Sequence, residues 1–105
     1  MNKNCLAVYS EREMEKISEK INGFPDSEVS EIKEFLFSKT ILASPDSNGR
    51  ITLPPALLDY AKIEKTLVII GAGNYVQIWS EKLWEAEEKQ RDLGNIRQKL
   101  ASIGL

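Results

Sequence analysis

The residues of this sequence that are best suited to chemistry lie around one arginine, Arg50. It directly follows a stretch of turn-forming residues, Pro45-Asp46-Ser47-Asn48-Gly49. A guanidinium group presents several N–H donors in a fixed plane, and this geometry suits phosphate groups and the edge of guanine. Because a tight turn projects the next residue from a rigid element, Arg50 is the first candidate for contact with a phosphate group or a guanine edge. The other candidates for that contact are Asp46, Gly49, Thr52 and Lys39.

A structural role for Arg50 is the alternative. Asp46 precedes Arg50 across the predicted turn, so the two side chains could form an ion pair. The same carboxylate could also orient the arginine and accept hydrogen bonds from turn amides, so the two roles are compatible. Thr52 is predicted to share the face of Arg50 and to contact phosphate. Lys39, with Lys62 and Lys65, would extend a basic rim, although surface lysines more often serve solvation.

The composition argues against an enzyme. The sequence contains no histidine, which excludes catalytic arrangements that need an imidazole base. Its one cysteine, Cys5, has no internal disulfide partner, and this favours the reducing cytoplasm. The acidic cluster of Glu85, Glu87 and Glu88 favours a solvated helix face over metal binding. Neither a cofactor nor a metal ion is therefore expected.

Two further features have a plain structural interpretation. Gly71-Ala72-Gly73 lacks the Lys-Ser/Thr pair of a phosphate-binding loop, so it is predicted to be a turn between strands. Four aromatic residues could stack on bases, but their positions in strands and at helix starts favour packing at module interfaces. They are Tyr9, Tyr75, Trp79 and Trp84.

The mildly acidic charge balance is unfavourable for DNA binding by a single chain. The 105 residues include 14 Lys and Arg against 16 Asp and Glu, for a net charge of -2, and affinity for DNA depends largely on neutralising phosphates. The acids concentrate over 11–19 and 81–88, however, whereas residues 40–55 hold one acid and one base. With neither a signal-peptide pattern nor a long apolar run, the sequence predicts a cytoplasmic protein without a membrane span.

The apolar pattern predicts an α+β fold in which a helical hairpin precedes a β module and a C-terminal helix. A capping box, with Ser10 and Glu13, begins the first helix, and Asn22-Gly23 is predicted to end it, because these residue types tolerate positive φ. The second helix is predicted to start near Asp26 or Ser27 and to share an apolar seam with the first.

The β module is predicted to contain two pairs of strands. The first pair covers 40–44 and 50–53, joined by an Asn48-Gly49 turn with both residues at positive φ. A helix starts at Pro54-Pro55, and the second pair covers 66–70 and 75–79. Ser80 is predicted to cap a final charged helix, which Gly94 breaks, and 95–103 could form a last short helix.

Two segments of the sequence resemble each other. Residues 4–16 align with residues 74–86, and in both segments an apolar strand leads through an aromatic residue to a capping serine and a helix. Chance similarity is one explanation, and a duplicated module is the other. Under duplication, the first strand, over 6–9, is expected to lack its natural partner within the chain. The identical pairs are Asn4 and Asn74, Ser10 and Ser80, Glu11 and Glu81, and Glu15 and Glu85.

The run from Asp46 to Pro54 resembles the Asp-x-x-Gly-Arg-[IV]-x-[IL]-Pro signature of the MraZ family. The signature is specific when a strand, a turn, a strand and a proline-initiated helix follow in order. The resemblance covers essentially the whole chain, because it extends in both directions from the signature. It includes Leu58, Tyr60-Ala61, Leu67–Gly71, Ile78-Trp79-Ser80 and Trp84, and before the signature Phe35-Leu36-Phe37 and Val8-Tyr9-Ser10.

The resemblance implies a particular module organisation. Proteins similar to MraZ contain two SpoVT-AbrB-like swapped-hairpin modules, each with an Asp-x-x-x-Arg motif. It implies that residues 39–86 form one complete module and that 87–105 form a helical tail. Only the second motif is present here, so residues 1–38 are expected to be the remnant of a first module, with its return strand and helical hairpin.

The resemblance also implies a function. MraZ relatives are transcriptional regulators that bind short direct repeats upstream of the cell division and cell wall gene cluster, associate with the nucleoid and assemble into rings. For this chain it implies sequence-specific binding of double-stranded DNA through Arg50 by a homo-oligomer, since a ring multiplies a weak contact. The alternative is an AbrB-like protein-interaction module, either an oligomerisation partner or an antitoxin.

Overall fold

The α+β class predicted from the sequence is confirmed by the computed structural model, which describes residues 4–105. Within that range the chain forms three strands and five helices. In chain order they are β1 (Leu6–Val8), α1 (Glu11–Asn22), α2 (Asp26–Ser38), α3 (Pro55–Tyr60), β2 (Leu67–Gly71), β3 (Val76–Ser80), α4 (Glu81–Lys89) and α5 (Leu93–Ser102).

Helices α1 and α2 form the predicted helical hairpin, with Val29 of α2 buried. The Ser10 hydroxyl accepts the backbone N–H of Glu13 at 3.2 Å, which supplies one half of the predicted capping box. The Glu13 carboxylate instead accepts hydrogen bonds from Lys16 and Asn74. Helix α1 ends at Asn22, as predicted, and Gly23 caps it with a right-handed φ of -73°.

The three strands form an antiparallel sheet in the order β1-β3-β2. Strands β2 and β3 are the predicted second hairpin, in register with Ile69 opposite Ile78. The Ala72 N–H donates to the Tyr75 carbonyl at 2.9 Å, and Gly73 takes the positive φ of +85° that this turn requires. The interpretation of Gly71–Gly73 as a turn is therefore confirmed.

Strand β1 pairs with β3, so the expectation that it lacks a partner within the chain is wrong. Leu6 lies opposite Ile78, Ala7 opposite Gln77, and Val8 opposite Val76. In the sequence alignment, Leu6 corresponds to Val76 and Val8 to Ile78. The two strands with similar sequences therefore pair with each other, with Ala7 opposite Gln77. Antiparallel pairing of similar strands places their matching apolar residues on the same face.

A small apolar core lies between the paired strands β1 and β3 and helix α3. Leu6, Ile78 and Ala61 are buried together, and Leu53, Leu57 and Ile63 pack against them. Helix α3 begins at Pro55, as predicted, and its apolar face supplies Leu57 and Ala61. Leu57 and Ala61 thus attach α3 to the sheet, just after the segment that carries Arg50.

The predicted strands over 40–44 and 50–53 do not form. Residues 40–54 contain no strand or helix, and their apolar side chains Ile41, Leu42 and Ile51 are exposed. A two-stranded hairpin is marginal unless another strand or a helix covers its apolar face. In the described part of the chain nothing buries these three side chains. The two arms of the loop, residues 40–44 and 51–53, are not hydrogen-bonded to each other, and only the turn over 46–50 between them is.

The C-terminal region forms two helices whose boundary differs from the prediction. Ser80 caps α4 as expected, accepting the Leu83 N–H at 3.0 Å. Helix α4 ends at Lys89, and Asp92 caps α5 by accepting the Asn95 N–H at 3.1 Å. Gly94 therefore lies inside the first turn of α5, and the predicted break at Gly94 is wrong. The strong N-cap at Asp92 sets the boundary instead.

Candidate nucleic-acid interface

The turn before Arg50 is built by one carboxylate. Oδ1 of Asp46 accepts the backbone N–H of Asn48 at 2.8 Å and that of Arg50 at 2.9 Å. The Asp46 N–H also donates to the Arg50 carbonyl at 2.8 Å, and the Gly49 N–H donates to the Asp46 carbonyl at 3.0 Å. Four hydrogen bonds thus connect Asp46 to the end of the turn and fix the backbone direction at Arg50.

Gly49 provides the backbone conformation that closes this turn. Its φ is +75°, whereas Asn48 is not among the residues at positive φ. The prediction that both residues take positive φ is therefore wrong. The observed arrangement is a turn from Asp46 to Gly49 whose last residue, Gly49, is left-handed. This is a common three-residue hairpin loop.

The Arg50 side chain is exposed and takes part in no salt bridge within residues 4–105. The ion pair with Asp46 that the spacing suggested is absent, because the carboxylate binds the backbone amide of Arg50 instead. Asp46 therefore fixes the backbone from which the Arg50 side chain extends, and the N–H donors of the guanidinium remain available to a ligand. This arrangement suits an anionic ligand such as phosphate.

The remaining candidates are exposed but are not assembled with the turn. Thr52 lies in the unpaired arm after Arg50, so no strand pleat places the two side chains on one face. Lys39 follows the last residue of α2, and no described hydrogen bond or salt bridge links it to the turn. The structure therefore brings together Asp46, Gly49 and Arg50, while Thr52 and Lys39 remain separate.

Lys62 occupies a strained backbone position. Its φ is +57°, in the left-handed region that favours glycine. The Ile63 N–H donates to the Leu58 carbonyl and the Lys62 N–H to the Asp59 carbonyl, which completes a Schellman motif after α3. Lys62 therefore has an evident role in ending α3.

The aromatic residues pack within the protein, in agreement with the sequence interpretation. Tyr9 and Tyr75 stack at 4.9 Å between ring centroids, across the paired repeats. Trp79 is buried and meets Trp84 edge to face at 5.6 Å, while the Arg91 guanidinium lies 5.2 Å from the Trp84 ring. Burial, with the nearby Tyr75 hydroxyl, raises the pKa of Tyr9 above its usual value.

Several acidic side chains outside the turn bind nearby basic or amide groups. Hydrogen bonds from Lys16 and Asn74 lower the pKa of Glu13, and a hydrogen bond from Lys33 lowers the pKa of Asp26. Glu88 binds Arg91 at 3.0 Å. Among the described residues, no group of three or more Cys, Asp or Glu side chains could hold a metal ion. No described helix is long and apolar enough to span a membrane.

Sequence motifs did not single out Arg97 and Lys99, two basic residues of α5. The signal that could have identified them is the spacing of the apolar residues beside them, Leu93, Ile96, Leu100 and Ile103. This spacing is typical of a helix that pairs with another helix.

Comparison with known proteins gives one family. Residues 36–102 match the family model described as "MraZ protein, putative antitoxin-like". The chain is 35% identical over 91 residues to the transcriptional regulator MraZ of Dictyoglomus turgidum, covering 85% of this chain and 62% of that protein. It is 32% identical over 105 residues to the same-named protein of Dictyoglomus thermophilum, covering 94% and 72%.

The coverage of the relatives is incomplete. A transcriptional regulator MraZ of Halorhodospira halophila is 40% identical over 83 residues, which cover 77% of this chain and 55% of that protein. The chain thus spans between about half and about three quarters of the lengths of these relatives.

Proposed function

Because the chain belongs to the MraZ family, we propose that it regulates transcription by binding double-stranded DNA through the Asp46–Arg50 turn. The relatives quoted above carry the name of a transcriptional regulator and not of an enzyme. The DNA proposed is a set of short direct repeats in the promoter of the cell division and cell wall gene cluster. Residues 39–86 are the proposed binding module, acting in the cytoplasm at the nucleoid.

One observation carries this proposal: the Asp46 carboxylate is committed to turn amides, and the Arg50 guanidinium is exposed without a salt bridge in the described chain. An arginine held by a rigid turn loses less conformational freedom on binding than one in a mobile loop. The guanidinium could then bind a phosphate or the O6 and N7 atoms of guanine.

The net charge of -2 makes binding by a single chain weak. We therefore include a homo-oligomer in the proposal, in which several turns contact successive repeats. Avidity then strengthens binding without any new contact in each subunit. The acids of α1 and α4 are compatible with this arrangement because they lie on elements other than the segment over 40–55.

The test is a fluorescence anisotropy titration of a duplex that carries direct repeats. Arg50→Ala is expected to weaken binding by about 5-fold to 100-fold, which corresponds to loss of one specific arginine contact. Arg12→Ala is the matched control, because it removes the same charge from an exposed position on α1. If Arg50→Ala and Arg12→Ala bind as the parent does, Arg50 is not the DNA contact.

A protein-interaction function is the second candidate, and a specific observation favours it. The arms on both sides of the turn expose Ile41, Leu42 and Ile51, and Leu42 is 79% exposed. Exposed apolar side chains on unpaired backbone suit addition of another polypeptide. An oligomer that retains its size but binds no duplex at low salt would favour this function over DNA binding.

A further inference from the structure

Helix α5 carries an apolar stripe that the described chain leaves exposed. Leu93, Leu100 and Ile103 are 60%, 41% and 71% exposed. Together with Ile96 they follow the alternating spacing of three and four residues found on helices that pair with other helices. The helix has no extensive packing against another described element.

Basic residues flank this stripe on both sides. Arg97 directly follows Ile96 and Lys99 directly precedes Leu100, which are the positions that face a partner helix across the edges of an apolar seam. Helix α5 contains no acidic residue. A partner surface with apolar residues at its centre and acids at its edges would therefore complement α5.

Helix α2 presents a face that combines apolar and acidic residues, with Glu31 at its edge and Glu28 between Phe35 and Ile32. It packs on α1, where Val29 is buried, but it leaves Ile32 and Phe35 exposed by 54% and 53%. Glu28 lies one turn before Ile32 and Glu31 one turn before Phe35, so these four side chains share one face.

The acids on this face are available for a partner. Asp26 binds the only base of α2, Lys33, at 2.7 Å. Neither Glu28 nor Glu31 takes part in a salt bridge among residues 4–105. The α2 face is thus apolar and acidic, whereas the α5 face is apolar and basic.

We propose that the α5 stripe of one chain packs on the exposed α2 face of a second copy, with Arg97 and Lys99 opposite Glu28 and Glu31. The two surfaces differ, so each copy offers one α5 and one α2 and can bind two neighbours. Such a contact closes into a ring when its rotation permits and otherwise extends. This inference deepens the oligomeric state in the proposed function and rests on it.

The test uses charge reversal in the full 105-residue chain, followed by sedimentation velocity without DNA. The parent is expected to sediment as an oligomer. Arg97→Glu/Lys99→Glu places acids against acids, and Glu28→Lys/Glu31→Lys places bases against bases. Each double variant is expected to associate at least about tenfold more weakly, because like charges that face each other are strongly unfavourable.

Restoration is the decisive result. In an equimolar mixture, the acidic α5 of the first double variant meets the basic α2 of the second, and the basic α5 of the second meets the acidic α2 of the first. The mixture is therefore expected to recover the oligomer. Circular dichroism of each variant checks that the helices remain folded. The matched control is Arg12→Glu/Lys20→Glu, which changes the charge equally on α1 and is expected to leave the oligomer unchanged.

Three results would overturn the interface: a monomeric parent, double variants that assemble normally, or a mixture that fails to recover. None of them depends on DNA. Conversely, an Arg50→Ala variant that binds DNA normally would contradict the DNA contact while these assembly measurements stand.

Discussion

Replacement of Asp46 by alanine is expected to weaken DNA binding although it removes a negative charge. Simple electrostatics predicts the opposite, because an acid beside a phosphate is unfavourable. The structure reverses the sign, since Oδ1 of Asp46 accepts the amides of both Asn48 and Arg50. Without these two hydrogen bonds the turn is mobile before binding, so part of the free energy of DNA binding is lost in ordering it.

The magnitude follows from the number of bonds lost. Each hydrogen bond contributes about 1 kcal/mol net, so the turn loses about 2 kcal/mol, equivalent to about 30-fold in its local equilibrium. Removal of the screened negative charge of Asp46 improves the free energy of DNA binding by less than about 1 kcal/mol. The dissociation constant for the duplex should therefore rise by between about 5-fold and about 30-fold.

Two variants separate the hydrogen bonds from the charge. Asp46→Asn keeps an oxygen that accepts both amides, so it should bind DNA within about twofold of the parent or more tightly. Glu64→Ala removes an exposed acid outside the turn and should not weaken binding. Anisotropy titrations at one fixed salt concentration compare all four proteins. If Asp46→Ala binds as tightly as Glu64→Ala, the assigned role of the carboxylate is refuted.

Two further predictions concern stability. Lys62→Gly should raise the free energy of unfolding by about 0.5 to 1 kcal/mol in urea titrations, because Lys62 is held at φ +57°; a decrease would show that the lysine side chain stabilises the end of α3. Hydrogen bonds from Lys16 and Asn74 hold the pKa of Glu13 below its usual 4.5, so this contribution to stability is present above that pH and declines as the pH falls through the lowered value. Glu13→Gln should therefore flatten the fall in stability with acid, and an unchanged pH profile would contradict the assignment.

Much of the fold could be predicted because its signals are local. Ser10 and Ser80 cap helices, Pro55 begins one, and the apolar, β-prone residues of β2 and β3 flank a glycine turn. Each signal depends on backbone geometry within a few residues. The Asp46–Arg50 turn belongs to the same class, because its hydrogen bonds lie within one short segment.

Other features depend on competition between partners, which local sequence does not specify. Asp46 could pair with the guanidinium or the amides of the turn, and the amides prevail because the turn brings them within 2.9 Å of its carboxylate. Gly94 is expected to break the C-terminal helix, but α5 begins after its cap at Asp92, so Gly94 lies within the first turn of α5. Residues 40–44 are β-prone and residues 50–53 alternate as a strand would, yet the described chain covers only Leu53 and leaves Ile41, Leu42 and Ile51 exposed.

The sequence by itself determined the α+β class and the position of the arginine turn, because composition and short-range spacing are sufficient for each. Only the tertiary structure decided that β1 pairs with β3 and that α3 closes the core over Leu6 and Ile78. It likewise decided that the faces of α2 and α5 stay exposed. Pairing and burial join residues far apart in the chain, and their free energies depend on which surfaces meet.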